Sequence, residues 1–153
     1  MANTYTQLYI HFVFAVQNRI SLILNNWQIE LYKYMNGIIE QQGHKPFAIN
    51  GMPDHVHVLV SMRPTQAPSD LMYHIKRSSS LWINENKFVS GKFSWQEGFG
   101  AFSYGKSQIP DITRYIDKQQ KHHLKRTFYE EYIDFLKAFE IDFDERYILK
   151  PID

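Results

Sequence analysis

The run Gly51-Met52-Pro53-Asp54-His55-Val56-His57-Val58-Leu59-Val60 constrains this chain more than any other segment. A Pro-Asp turn leads into an apolar, β-branched stretch, the pattern of a strand entered from a tight turn. Side chains alternate between the faces of a strand, so His55 and His57 project together while Val56 turns away. Two imidazoles side by side on a rigid strand supply half of a metal site. The other half has to come from elsewhere in the chain.

The flanking segments predict what carries this strand. Residues 5–16 read as a strand with Leu8, Ile10, Phe12, Phe14 and Val16 on one face. Gln7, Tyr9, His11 and Val13 form its mixed second face. Leu24, Trp27, Leu31, Tyr34 and Ile38 follow helical spacing, with Gly43 as the C-terminal stop. A strand near Phe47–Asn50 reaches the Met52-Pro53-Asp54 turn, and residues 55–61 return as the second arm of a hairpin. After the linker Pro64–Pro68, Ser69 is placed to cap a helix with Leu71, Met72, Ile75, Ser79 and Trp82 on one side. The aromatic stretch 93–104 predicts a further strand, broken around Gly98 and Gly100. Ser107 is placed to cap a helix running to about Leu124, with Pro110 tolerable in its first turn. Thr127-Phe128-Tyr129-Glu130 has the form of a capping box. It opens a last helix whose inner face is Phe128, Tyr132, Phe135, Leu136 and Phe139. The order βαββαβ predicts a ferredoxin-like, RRM-like α+β fold: an antiparallel sheet with helices on one face. A tyrosine-bearing helix and a last helix follow it. With no internal repeat or interdomain linker, residues 1–153 read as one domain.

Composition narrows the chemistry. There is no Cys, which excludes disulfides, thiolate metal sites and a cysteine nucleophile. The formal charge of +1 neither advertises a nucleic-acid binder nor excludes one, because a local patch is enough. No apolar run approaches the roughly 20 residues of a membrane span, and a signal-peptide pattern is absent. The expectation is a soluble, cytoplasmic protein. With ten tyrosines present, any one of them becomes a candidate nucleophile only through its position.

In the helix after Ser107, Tyr115 and Gln119 are four apart and share a face, with His122 three further on. The chain thus offers a strand dyad, His55 and His57, and a helix dyad, Tyr115 and Gln119. If the helix packs on the histidine face, both pairs meet around one ion. Two neutral imidazoles and an amide oxygen leave open positions on a divalent cation. Such an ion can bind a phosphodiester oxygen and orient the phosphorus for in-line attack. A phenol, with a pKa of about 10, attacks only a strongly polarised target.

His55-Val56-His57 resembles the histidine-hydrophobe-histidine (HUH) motif of single-strand DNA nicking enzymes. Tyr115-Ile116-Asp117-Lys118-Gln119, followed by His122-His123, resembles the tyrosine helix of the single-tyrosine (TnpA type) transposases. Asn18-Arg19, the Gly51–His55 approach and Trp95-Gln96-Glu97-Gly98-Phe99-Gly100-Ala101-Phe102-Ser103 extend the likeness over nearly the whole chain. The resemblance implies that Tyr115 attacks DNA and holds its 5′ end as a phosphotyrosine, releasing a 3′-OH. It implies that His55, His57 and Gln119 bind a divalent ion, Mg²⁺ or Mn²⁺. Imidazole ligation favours Mn²⁺ at least as much as Mg²⁺. It further implies a homodimer that recognises hairpins near element ends and can share active sites between subunits.

Other readings of the same residues remain. Tyr115 alone, flanked by Ile112 and Ile116, reads as a core tyrosine, and His122 is the natural substitute for Gln119. His44, His74 and His123 read as surface or hydrogen-bonding residues; His11 reads as structural, near the site's sheet face. Arg19, Lys76, Arg77, Lys118 and Lys121 are candidates for DNA phosphate contacts. A domesticated relative processing genomic hairpins would use the same catalytic residues, and a water-using metal hydrolase would form no covalent adduct. A non-catalytic RRM-like RNA-binding module is the distant alternative, since Gly98–Tyr104 echoes its aromatic strand. Glu97 stands there in place of a basic residue, and the RRM gives no reason for His55 and His57.

Overall fold

The computed structural model describes residues 4–122 and 127–142, apart from the side chains of Lys121 and His122. The elements are β1 (Tyr9–Ala15), α1 (Asn25–Gln41), β2 (Lys45–Met52), β3 (His55–Ser61), α2 (Pro68–Glu85), β4 (Gly100–Tyr104), α3 (Ile109–Asp117), α4 (Gln119–His122) and α5 (Phe128–Ala138). The four strands form an antiparallel sheet in the order β2-β3-β1-β4. The α+β fold expected from the βαββαβ order is the one observed.

β3 is an inner strand, paired along its length with β1 and β2. His57 stands opposite Val13 on one side and Asn50 on the other, and His55 opposite Ala15 and Met52. The β2–β3 hairpin closes through Pro53 and Asp54. Gly51 is required there: a Cβ on it would lie 2.2 Å from the His55 carbonyl oxygen.

The alternation of β1 and β3 sorts the sheet into two faces. Phe12, Phe14, Val56, Val58 and Val60 point to one face, where α1 and α2 cover them with Leu31, Met35, Ile39, Leu71 and Ile75. Burying each such side chain contributes about 1.5–3 kcal/mol. His11, Val13, His55, His57 and Leu59 take the other face. There α3 contributes Ile116 and α5 contributes Phe128, Tyr132 and Leu136. Helices therefore lie on both faces once the C-terminal ones are counted.

Several boundaries differ from expectation. The 93–104 stretch forms a strand only from Gly100; before that, Trp95 makes a lone bridge to Val16. The aromatic rings there turn inward: Trp95 packs edge-on to Phe14 and donates its Nε1–H to Ser79 Oγ at 2.9 Å. Ala67, not Ser69, is the N-cap of α2, and Pro68 occupies its first turn. Leu24 caps α1 and is exposed. Ser107 sits within a short 3-10 turn ahead of α3. Thr127 caps α5 as its sequence predicts, accepting from the Glu130 N–H at 3.2 Å. Leu124, the expected end of the tyrosine helix, and the tail from residue 143 lie outside the described residues. Among the described residues no helix is long and apolar enough to cross a membrane.

Candidate active site

His55 and His57 are both fully buried, with ring centroids 5.1 Å apart. Each ring is held through its Nδ1. His55 Nδ1 meets Asp54 Oδ1 at 2.7 Å, and the ring stacks on Phe128 with centroids 4.1 Å apart. His57 Nδ1 meets His11 Nε2 at 2.8 Å. With both Nδ1 atoms engaged, both Nε2 atoms are turned toward the C-terminal helices.

The tyrosine helix arrives over this face in two pieces. The expected continuous helix is broken at Lys118, which has left the helical conformation (φ −103°, ψ 23°). The cause is Asn50 on β2. Its Nδ2 donates to the carbonyls of Ile116 and Asp117, at 2.9 and 3.2 Å, acceptors that an unbroken helix would use itself. Gln120 closes the junction by donating to Asn50 Oδ1 and to the Gly51 carbonyl. Despite the break, Gln119 is fully buried and its Oε1 lies 3.3 Å from His55 Nε2. The Tyr115 ring stands edge-on to His57, with centroids 6.0 Å apart. The strand dyad and the helix dyad meet within one chain.

The residue that joins them is Glu131 on α5, which the sequence reading missed. Its side chain is almost fully buried. Oε1 lies 3.0 Å from His57 Nε2 and 3.8 Å from His55 Nε2. Oε2 accepts from the Tyr115 hydroxyl and, at 3.3 Å, from Gln119 Nε2. A signal was available: Glu131 falls three residues after Phe128 and four before Phe135, on the buried stripe of its helix. A carboxylate on an apolar stripe needs a partner.

His55, His57 and Glu131 form a group able to hold a metal ion, their ligand atoms lying within 4.8 Å of one another. The donor set fits a divalent cation. Two imidazoles with their far nitrogens tied, a carboxylate and the Gln119 amide oxygen supply nitrogen and oxygen ligands together. Burial alone would raise the Asp54 carboxyl. The hydrogen bond and charge of His55, with the Arg19 guanidinium nearby, bring it below its ordinary value. Asp54 is therefore an anion beside His55. His122 belongs to α4, but its side chain is outside the described residues, as is Lys121.

The basic candidates separate. Arg19 lies at the site's margin, its guanidinium 5.9 Å from the Phe128 ring centroid. Lys118, exposed at the break, adjoins Gln119. Lys76 and Arg77, on α2, lie across the sheet from the histidines. They line an open groove of about 550 Å³ with Tyr73, Lys92 and Trp95. The Lys76 ammonium is also a clamp, donating to the carbonyls of Gln96 and Gly98.

The IS200-like transposase family model matches residues 4–119, a span that holds the histidine strand and the tyrosine helix. The chain belongs to the IS200-like transposases. This transposase is 25% identical over 118 residues to the ISDra2 transposase TnpA of Deinococcus radiodurans, covering 74% of this chain and 84% of that protein. Its fold is similar to a crystal structure assigned as a transposase of D. radiodurans R1. That match has a TM-score of 0.63 at 21% identity and covers 78% of this chain and 95% of the other. A REP-associated tyrosine transposase bound to a REP hairpin matches with a TM-score of 0.61 at 16% identity, covering 80% and 73%.

Proposed function

We propose that this transposase cuts and rejoins single-stranded DNA by transesterification, with Tyr115 as the nucleophile and residues 1–153 as one catalytic domain. The observation that carries the reading is the meeting of Tyr115, Gln119, His55 and His57 around Glu131 within one chain. The phenol oxygen attacks the phosphorus, and the bond from phosphorus to the 3′ oxygen breaks. The 5′ end remains on Tyr115 as a phosphotyrosine, and the freed 3′ oxygen takes up a proton. Glu131, already accepting from the Tyr115 hydroxyl, receives the phenol proton. His55 and His57 through Nε2, with Glu131 and the Gln119 amide oxygen, would hold a divalent ion, Mg²⁺ or Mn²⁺. That ion, when bound, supplies Lewis-acid stabilisation of the charge developing on the phosphate. Attack by the new 3′-OH of another strand on the phosphotyrosine reverses the step and rejoins DNA without ATP.

The substrate is single-stranded DNA with hairpins near the element ends. The fold neighbour solved on a REP hairpin supports that choice. Arg19, Lys76, Arg77, Lys118 and Lys121 neutralise its phosphates, and a homodimer in the cytoplasm is the working assembly. A domesticated relative that processes repeated genomic hairpins uses the same chemistry; flanking hairpins and near-identical copies of the gene separate the two.

The test is incubation with labelled single-stranded DNA from the gene's own flanks, plus Mn²⁺ or Mg²⁺. A denaturation-resistant protein–DNA adduct is expected with the native chain and none with Tyr115→Phe. An adduct surviving in Tyr115→Phe, or efficient cleavage of duplex DNA, overturns the reading.

A further inference from the structure

His11 occupies the middle of β1, opposite Leu59 on β3 and Phe102 on β4, and none of its surface is exposed. Its surroundings are aromatic: Phe102, Tyr104 and Phe135 lie with ring centroids 6.2, 6.1 and 5.3 Å away. Among the described residues its Nδ1 has no hydrogen-bond partner. A phenylalanine would fill this niche with no such cost, so packing does not account for an imidazole here. Among the described residues its polar contact is Nε2 to His57 Nδ1 at 2.8 Å, with the rings stacked at 5.0 Å.

We propose that His11 is a positioning residue for His57, accepting the Nδ1–H of that ring and so turning a bare Nε2 toward the metal ion. The inference rests on the metal-site reading above and deepens it. To bind an ion through Nε2, His57 must carry its ring proton on Nδ1, and that proton needs an acceptor. His11 Nε2 is the atom in place. A neutral His11 then carries its own proton on Nδ1. His55 is served differently, by the Asp54 carboxylate. The neutral acceptor at His57 adds no second anion beside the buried Glu131 carboxylate.

The test is Mn²⁺ binding by calorimetry on the full chain without DNA, beside thermal unfolding. His11→Phe is expected to weaken Mn²⁺ binding about 10–100-fold, the usual cost of losing such a support, with no loss of thermal stability. His11→Gln, whose amide oxygen can reach the Nε2 position, is expected to recover most of the affinity. Native-like affinity in His11→Phe, or a glutamine variant as weak as the phenylalanine one, overturns the inference while leaving the metal site standing. A native chain that binds no Mn²⁺ removes the metal-site reading itself. Should His11→Phe fail to fold, ring ¹⁵N spectra of the native chain with Mg²⁺ decide. Nδ1–H on both His57 and His11 is expected, and a proton on Nε2 of either ring in the loaded protein overturns the proposal.

Discussion

Glu131 divides its two oxygens between two tasks: Oε1 faces the imidazoles, and Oε2 takes the Tyr115 hydroxyl and the Gln119 amide. Glu131→Gln preserves the volume but removes the charge and puts an NH₂ donor where the cluster needs an acceptor. Calorimetry should show weaker Mn²⁺ binding, and the rate of adduct formation should fall about 100-fold, the scale of losing a general base. In the sequence Glu131 is masked by its neighbours. Thr127-Phe128-Tyr129-Glu130 announces a cap, and Glu131 stands next to it looking like more helix-start charge. Its inward direction depends on α5 lying over the histidine face, a tertiary fact. His55 and His57 were legible because strand alternation alone puts them on one side, and Tyr115 and Gln119 because a four-residue helical spacing survives a local break.

At the scale of elements, α5 is set by its cap and α2 by its proline. Thr127→Ala removes the acceptor for the Glu130 N–H and should cost about 1 kcal/mol in urea unfolding. Ser69→Ala should change the unfolding free energy by no more than about 0.5 kcal/mol, because Ala67 holds the cap position. The clamp between α2 and the loop at residues 96–98 has a pH signature. Burial lowers the Lys76 pKa from 10.5 to about 8, against the pull of Glu97. Between those values the unfolded chain holds a proton that the folded chain has released, so this group makes stability rise with pH. Below pH 8 both states are protonated and its contribution is flat. Comparing urea midpoints of the native chain and Lys76→Met from pH 7 to 10 should show that rise in the native chain alone. Tyr104 and Tyr132, both pushed up to about 12 by burial, act oppositely above pH 10. The break at Lys118 was not legible, because Gln119, Gln120 and Lys121 are all good helix formers. Asn50, about 70 residues earlier in the chain, takes the carbonyls that would have continued the helix.

Across the whole molecule, the sheet separates a largely apolar layer under α1 and α2 from a layer where histidines, Gln119 and Glu131 share space with aromatic rings. The βαββαβ order made the first layer readable; the second is built by helices whose docking the order does not specify. Because Tyr115 meets the histidines of its own chain, mixing Tyr115→Phe protein with His57→Ala protein should yield no adduct. Recovery of adduct in the mixture would mean that tyrosines cross between subunits. The burial of His55, His57 and Gln119 also shapes the kinetics, since each has no exposed surface. A phosphodiester cannot touch groups that solvent cannot touch, so on the proposed chemistry the helices over the histidine face, α5 among them, are expected to shift before DNA engages. In single-turnover experiments the adduct rate should therefore reach a plateau as DNA concentration rises. Such a ceiling would report the opening rate of the protein, set by how firmly these helices are seated and not by how tightly the strand is held.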